Sequence, residues 1–322
     1  MQRYKKIAVI LLKILILFLT FGYIYNALSN EDAIYKFNNL LDLIREKGFN
    51  LSIVSILVLA VANQFVEAIK WKYATKKIES VSFYNALASV FSGISIGVFT
   101  PNNIGEYGGK ILYLKDQNRG AGIVVNFITS TSQLIITLTI GLLAFLFYFT
   151  KYITSETIIS HILTYTVVVF ICLVLHLFIN VNRLSFYAEK ISWLSRVKKY
   201  TMIFDKFHSK TVATILLLAF IRYMIFSTQY LLLINYVNPA LSISNIVMMT
   251  SLIFLTQSIL PSFAITEIMM RGSVAAYFFQ NISNDVLPIV ASAFSIWILN
   301  VILPAIIGSY FVLKANFLGA RN

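Results

Sequence analysis

The sequence predicts an all-α polytopic membrane protein: six full transmembrane helices plus two re-entrant helical hairpins in an inverted-topology repeat. Three observations point there. Hydrophobic residues make up 58% of the 322 positions and charged residues 12%, about half of the roughly 25% found in soluble globular domains. Six apolar stretches are long enough to cross a bilayer, whose hydrocarbon core of about 30 Å needs roughly 20 helical residues. Two further apolar regions are each broken midway by a proline and polar residues.

The six stretches run approximately 7 to 28, 50 to 70, 121 to 149, 158 to 179, 211 to 236 and 287 to 313. The first follows Arg3, Lys5 and Lys6, but it is long for a signal-peptide core and no A-x-A site follows it, so it is expected to be retained as a helix. The interrupted regions are about 83 to 118 and 245 to 279. The longest polar connection, about 180 to 210, is too short to bury a core of its own, so the whole of 1 to 322 is expected to be one membrane domain. Within it, Leu184, Tyr187, Ile191 and Leu194 fall on one helical face, fitting an interfacial helix on the membrane surface or a plain solvated loop.

Charge sets the orientation, because basic residues gather in cytoplasmic loops. If each interrupted region enters and returns on its own side, 19 of the 26 Lys and Arg lie on one face and four on the other, leaving Lys13, Arg222 and Arg271 in apolar segments. Both termini are then cytoplasmic, in a bacterial-type cytoplasmic membrane. The chain divides into inverted repeats of approximately 1 to 150 and 155 to 322, and such repeats put a transporter's working site where broken helices meet near the midplane. The formal net charge of +13 suits an anionic lipid surface rather than nucleic acid.

The breaks carry the candidate residues. Pro101-Asn102-Asn103-Ile104-Gly105-Glu106 is followed by Lys110; Pro261 leads to Glu267, followed by Arg271. A proline disfavours helix in the residue before it, so Thr100 and Leu260 should end one half-helix, and the N–H groups of the next suit an anion. Each glutamate can pair with the cation one turn on. The alternative is that the prolines merely kink ordinary spanning helices. Against that, an ionisable residue in a central span costs about 2.5 to 3.5 kcal/mol and marks a pathway or a partner. Arg222 lies too deep to snorkel and needs a carboxylate, Glu267 or Glu106, or a lipid phosphate. Lys13 and Glu67 are expected near the interface, Lys13 snorkelling and Lys70 pairing with Glu67. Asn126, Ser130, Gln133 and Thr137 form a polar stripe that either lines a cavity or bonds neighbouring helices.

Other motifs exclude more than they offer. Gly93 and Gly97 match G-x-S-x-G, but without a preceding strand they read better as the G-x-x-x-G of a close helix contact. Cys172, the single cysteine, excludes an internal disulfide and a Cys-cluster metal site. His161 and His176 sit near opposite ends of one span, which argues against a shared metal, and no phosphate-binding loop marks an ATP motor. No cofactor is implied.

Thr-Pro-Asn-Asn-Ile-Gly-Glu at 100 to 106 and Leu-Pro-x-x-x-x-x-Glu at 260 to 267 resemble the membrane family named after the lysylphosphatidylglycerol synthase transmembrane region. The resemblance implies lipid translocation or lipid handling, with Pro101, Gly105, Glu106, Pro261 and Glu267 as the matching positions. Ser262, Phe263 and Ala264 stand where that family usually carries glycines, and the aminoacyl transferase domain that some members carry is absent from this sequence.

The leading expectation is therefore a lipid flippase-like transporter. Its substrate-binding residues are Pro101, Asn102, Gly105, Glu106, Lys110, Arg222, Pro261, Glu267 and Arg271, with Asn126 and Gln133 in a lesser role. Its partners are membrane lipids, namely an anionic or aminoacylated phospholipid or a glycolipid. A second copy of the chain, or a separate lipid-modifying enzyme, is the protein partner this allows. The alternatives are a membrane-embedded transferase or hydrolase using the two glutamates as acid and base, and a non-catalytic subunit of an envelope assembly.

Overall fold

The computed structural model describes residues 50–153, 156–183, 202–260 and 267–315, with scattered helical positions between 11 and 46. Among the described residues the secondary structure is helical. The α-helices are α1 (Leu51–Thr75), α2 (Phe83–Gly97), α3 (Gly105–Lys110), α4 (Arg119–Tyr152), α5 (Thr157–Ile179), α6 (Ser209–Val237), α7 (Ile243–Ile259), α8 (Glu267–Phe279), α9 (Leu287–Trp297) and α10 (Leu303–Lys314). A π-turn at Ile298–Ile302 joins α9 to α10.

Five helical units are long and apolar enough to cross a membrane: α1, α4 with its leading turn, α5, α6 and the continuous α9–α10. They coincide with five of the six expected stretches. The sixth, 7 to 28, and the 183 to 197 amphipathic segment lie largely outside the described residues, although Lys13 is described and donates to the Leu313 carbonyl at 2.5 Å. The most apolar window of α9–α10 is 72% buried and that of α5 only 17%. Thus α9–α10 is the central element and α5 the peripheral one. Exposed Ile162, Tyr165, Val169 and Leu177 on α5 form a surface suited to lipid tails, not to water.

Local chemistry fixes the ends. Asn50 caps α1 by accepting from the Ser52 and Ile53 N–H groups, and Ser82 caps α2 by accepting from Asn85 N–H. Pro304 explains the π-turn. It has no N–H to offer the carbonyl four residues back, and its ring crowds that carbonyl, so the helix widens just before it. The carbonyl released is that of Asn300, which accepts from the Gln64 side chain at 3.0 Å instead.

The apolar interior divides in two. One core joins the start of α1, the end of α4 and the second half of α6 to α7, α8 and α9, around Tyr230, Phe254 and Ile296. The other joins the end of α1, the first half of α4 and the start of α6 to α2 and the end of α5, around Trp71, Val90, Ile128 and Phe207. Helices α1, α4 and α6 run through both.

Each of the two interrupted regions, the first and the second excursion, opens with a short helix. Helix α2, with 15 residues, and α7, with 17, rise about 22 and 26 Å, less than a hydrocarbon core. Neighbours give their levels. Both Tyr84, at the start of the first excursion, and Tyr113, at its end, meet Phe311 near the end of α10. Val98, at its far end, packs with Phe294, Trp297 and Ile302 halfway along α9–α10. In the second, Asn245 accepts from Lys151, and Phe278 and Asn281 meet Tyr148, all at the end of α4; Leu255 faces Gly141 further in.

Candidate functional site

The first break is built from close backbone approach. Thr100 and Leu260 are extended, as the prolines after them require. Thr100 Oγ1 donates to the Gly97 carbonyl and accepts from Gly105 N–H, both at 2.8 Å. Asn102 and Asn103 turn the chain with positive φ, 49° and 55°, a conformation asparagine tolerates better than most side chains. The chain then runs back along α2. Gly105 lies against the Ile96 carbonyl and Gly109 against Ser92 and Gly93, so closely that a Cβ at either position would collide with backbone. Gly93 and Gly97 face Glu106 and Lys110 across the same seam, which is the close contact expected of them.

That seam delivers Lys110 into a buried charge cluster. Its Nζ is 2.7 Å from Glu67 Oε1 and 2.5 Å from Glu106 Oε1, and it stands 5.5 Å from the centre of the Trp71 ring. Glu67 also binds Lys70 at 2.8 Å and Arg222 at 3.2 Å. One carboxylate thus collects three cations. Arg222 directs Nε at Asn63 Oδ1, 3.1 Å away. Asn63 donates to Asn300 Oδ1 at 2.8 Å, and Asn300 to Gln229 Oε1 at 3.1 Å. Gln229 closes the chain on the Ile56 carbonyl. Polar groups therefore run unbroken from Lys70 on α1 to Gln229 on α6 by way of α9–α10.

Several expectations change. Among the described residues the carboxylate partner of Arg222 is Glu67 and not Glu106; the side chain of Glu267 lies outside them. The Lys70–Glu67 pair exists and is buried within the protein; the two side chains keep 1% and 5% of their surface. The first half-helix N-terminus is short and partly occupied. Helix α3 has six residues and the N–H of Gly105 is already taken by Thr100, so side-chain cations carry the positive charge there. Of the polar stripe, Gln133 donates to the Ala219 carbonyl of α6 and Asn126 is fully buried, which favours helix contact over a cavity lining.

Of the expected site residues, Glu106, Lys110 and Arg222 come together through Glu67. Pro101, Asn102 and Asn103 lie exposed at the tip. Arg271 stands apart, reaching Gln257 on α7 at 3.4 Å and lying near the Tyr230 phenol on α6. Pro261 and the side chain of Glu267 are outside the described residues. The residues missed were Glu67 as hub, Asn63, Gln229 and Asn300. Asn63, Glu67 and Lys70 are spaced i, i+4, i+7 within an apolar span, one helical face, and that spacing was the available signal.

In comparison with known proteins, no family model, curated protein or solved structure matches this chain.

Proposed function

We propose that this chain is an integral membrane protein that carries the polar headgroup of a lipid past a site between two re-entrant hairpins, while the acyl chains stay in the bilayer. The 83 to 118 segment enters and returns on the cytoplasmic side and 245 to 279 on the other, as an inverted repeat with cytoplasmic termini. What supports the topology is that each excursion begins and ends at one level, the first beside Phe311 and the second beside Tyr148 and Lys151, at opposite ends of the molecule. What supports a polar passage is the tip at Pro101–Asn103. Irregular backbone at membrane depth is tolerated only where it is buried or lines water, and this tip is exposed.

The observation that carries the reading is the cluster on Glu67. Five ionisable side chains from α1, the first excursion and α6 are gathered in an otherwise apolar protein, and intramembrane charges mark substrate or ion pathways. Glu106 and Arg222 are its accessible members, with 30% and 27% of their side-chain surface free. The motif resemblance to the lysylphosphatidylglycerol synthase transmembrane family agrees with lipid as substrate.

The test is headgroup exposure in reconstituted vesicles. Labelled phospholipid in the inner leaflet should become accessible to a membrane-impermeant quencher with the wild-type chain. It should do so at least tenfold more slowly with Glu106→Gln or Arg222→Gln, about 1.4 kcal/mol of barrier. Equal rates for wild type, both variants and protein-free vesicles would remove the proposal.

A further inference from the structure

The cluster is unbalanced. Two carboxylates, Glu67 and Glu106, stand within ion-pairing distance of three cations, Lys70, Lys110 and Arg222. Among the described residues no other charged side chain joins them, and the neighbours that complete the network, Asn63, Asn300 and Gln229, are neutral amides. The formal charge is one positive. A charge held out of water without compensation is costly; among the described residues none supplies it, and with Lys70 and Lys110 sealed the accessible edge at Glu106 and Arg222 is where a ligand can.

Coordination decides which sign of ligand that edge accepts. An incoming amine would find Glu67 already bound by three cations and at Glu106 only Oε2 left, with Lys110 on Oε1 and the excess positive charge of the cluster beside it. An incoming anion displaces nothing. Arg222 uses Nε for Asn63 and one Nη for Glu67. Its guanidinium has five N–H donors in a planar fork that matches phosphate.

We infer that the site selects a headgroup with one net negative charge, a phosphodiester held by Arg222 beside Glu106, over zwitterionic and cationic headgroups. The inference rests on the translocation reading for its ligand being a lipid, but it is read by equilibrium binding, so the two can fail separately.

The experiment follows thermal unfolding of the full chain in a neutral detergent. The added probes are short-chain phosphatidylglycerol, short-chain phosphatidylethanolamine, a short-chain lysyl-phosphatidylglycerol, or glycerol phosphate. Phosphatidylglycerol should bind at least tenfold more tightly than the zwitterionic and cationic lipids. Arg222→Gln should abolish that preference. Lys70→Met, which brings the cluster to zero formal charge without touching the headgroup, should also reduce it about tenfold, and it serves as the readout if Arg222→Gln does not fold. Equal binding of all three lipids, or tighter binding of the cationic one, overturns the inference. So does a preference that survives both substitutions, which would assign it to the generally basic surface. Glycerol phosphate binding as tightly as the lipid would make this a free-phosphate site. Selective binding without headgroup exposure in vesicles would sink the transport reading alone.

Discussion

The two excursions are held in different ways. The first is a seam of glycines that lets two backbones touch, with Glu106 and Lys110 pinned across it to Glu67. The second is held by apolar bulk. Eight consecutive-turn residues of α7 are buried between Ile246 and Leu255, and Phe254 meets the rings of Tyr223, Phe226 and Tyr230 at 5.7, 5.2 and 5.1 Å. Among the described residues the charged cluster lies with the first excursion, while Arg271 of the second reaches Gln257.

The sharpest way to break this comparison is labelling from one side of sealed vesicles after Cys172→Ser. Ser82→Cys and Lys115→Cys, at the two ends of the first excursion, should react from the same face; Ser244→Cys and Gln280→Cys should react only from the opposite face. The effect is all or none. Reaction of Ser82→Cys and Lys115→Cys from different faces would mean a full crossing.

The next effect is on stability. Glu67→Gln keeps the shape and removes the charge that three cations share. Stranding buried charge costs about 3 to 5 kcal/mol, to be read as a large fall in unfolding midpoint. A polar deletion in the other core, Tyr230→Phe, should change stability by about 1 kcal/mol or less. Comparable losses would erase the contrast between a charged and an apolar excursion.

Smaller again is the seam. Gly109→Ala forces a methyl into the backbone at Ser92 and Gly93, an overpacking cost of about 1 to 3 kcal/mol. Gly108→Ala, one residue away with nothing within 4 Å, should be neutral or stabilising by up to about 1 kcal/mol. Smallest is the turn. Asn103→Ala should cost about 1 kcal/mol for its positive φ, and Asn103→Gly should not. Denaturant unfolding in detergent measures all four.

The spans were legible because a run such as 158 to 179 has one physical reading: nothing but lipid accommodates it. The breaks were legible too, since Pro101 and Pro261 dictate the extended residue before them. The partner of Arg222 was not, because a side chain's depth tells that it needs a carboxylate but not which helix supplies it. Spacing along α1 pairs Glu67 with Lys70, but its bonds to Lys110 and Arg222 come from other segments, and Asn63 one turn earlier continues the same polar face. Asn300 stands as a lone amide in a long apolar run, and Pro304 four residues later leaves its carbonyl in need of a donor from elsewhere.

That last pairing has a mechanical consequence. A helix deep in a membrane protein can ordinarily slip by one residue at little expense, turning about 100° as it goes, since one apolar face resembles another. Here such a turn would tear Asn300 from Asn63, Gln64 and Gln229 at once and strand a carbonyl that proline chemistry forbids the helix from satisfying itself. The π-turn is thus a key in a keyway: it fixes the rotational setting of α9–α10 against α1 and α6.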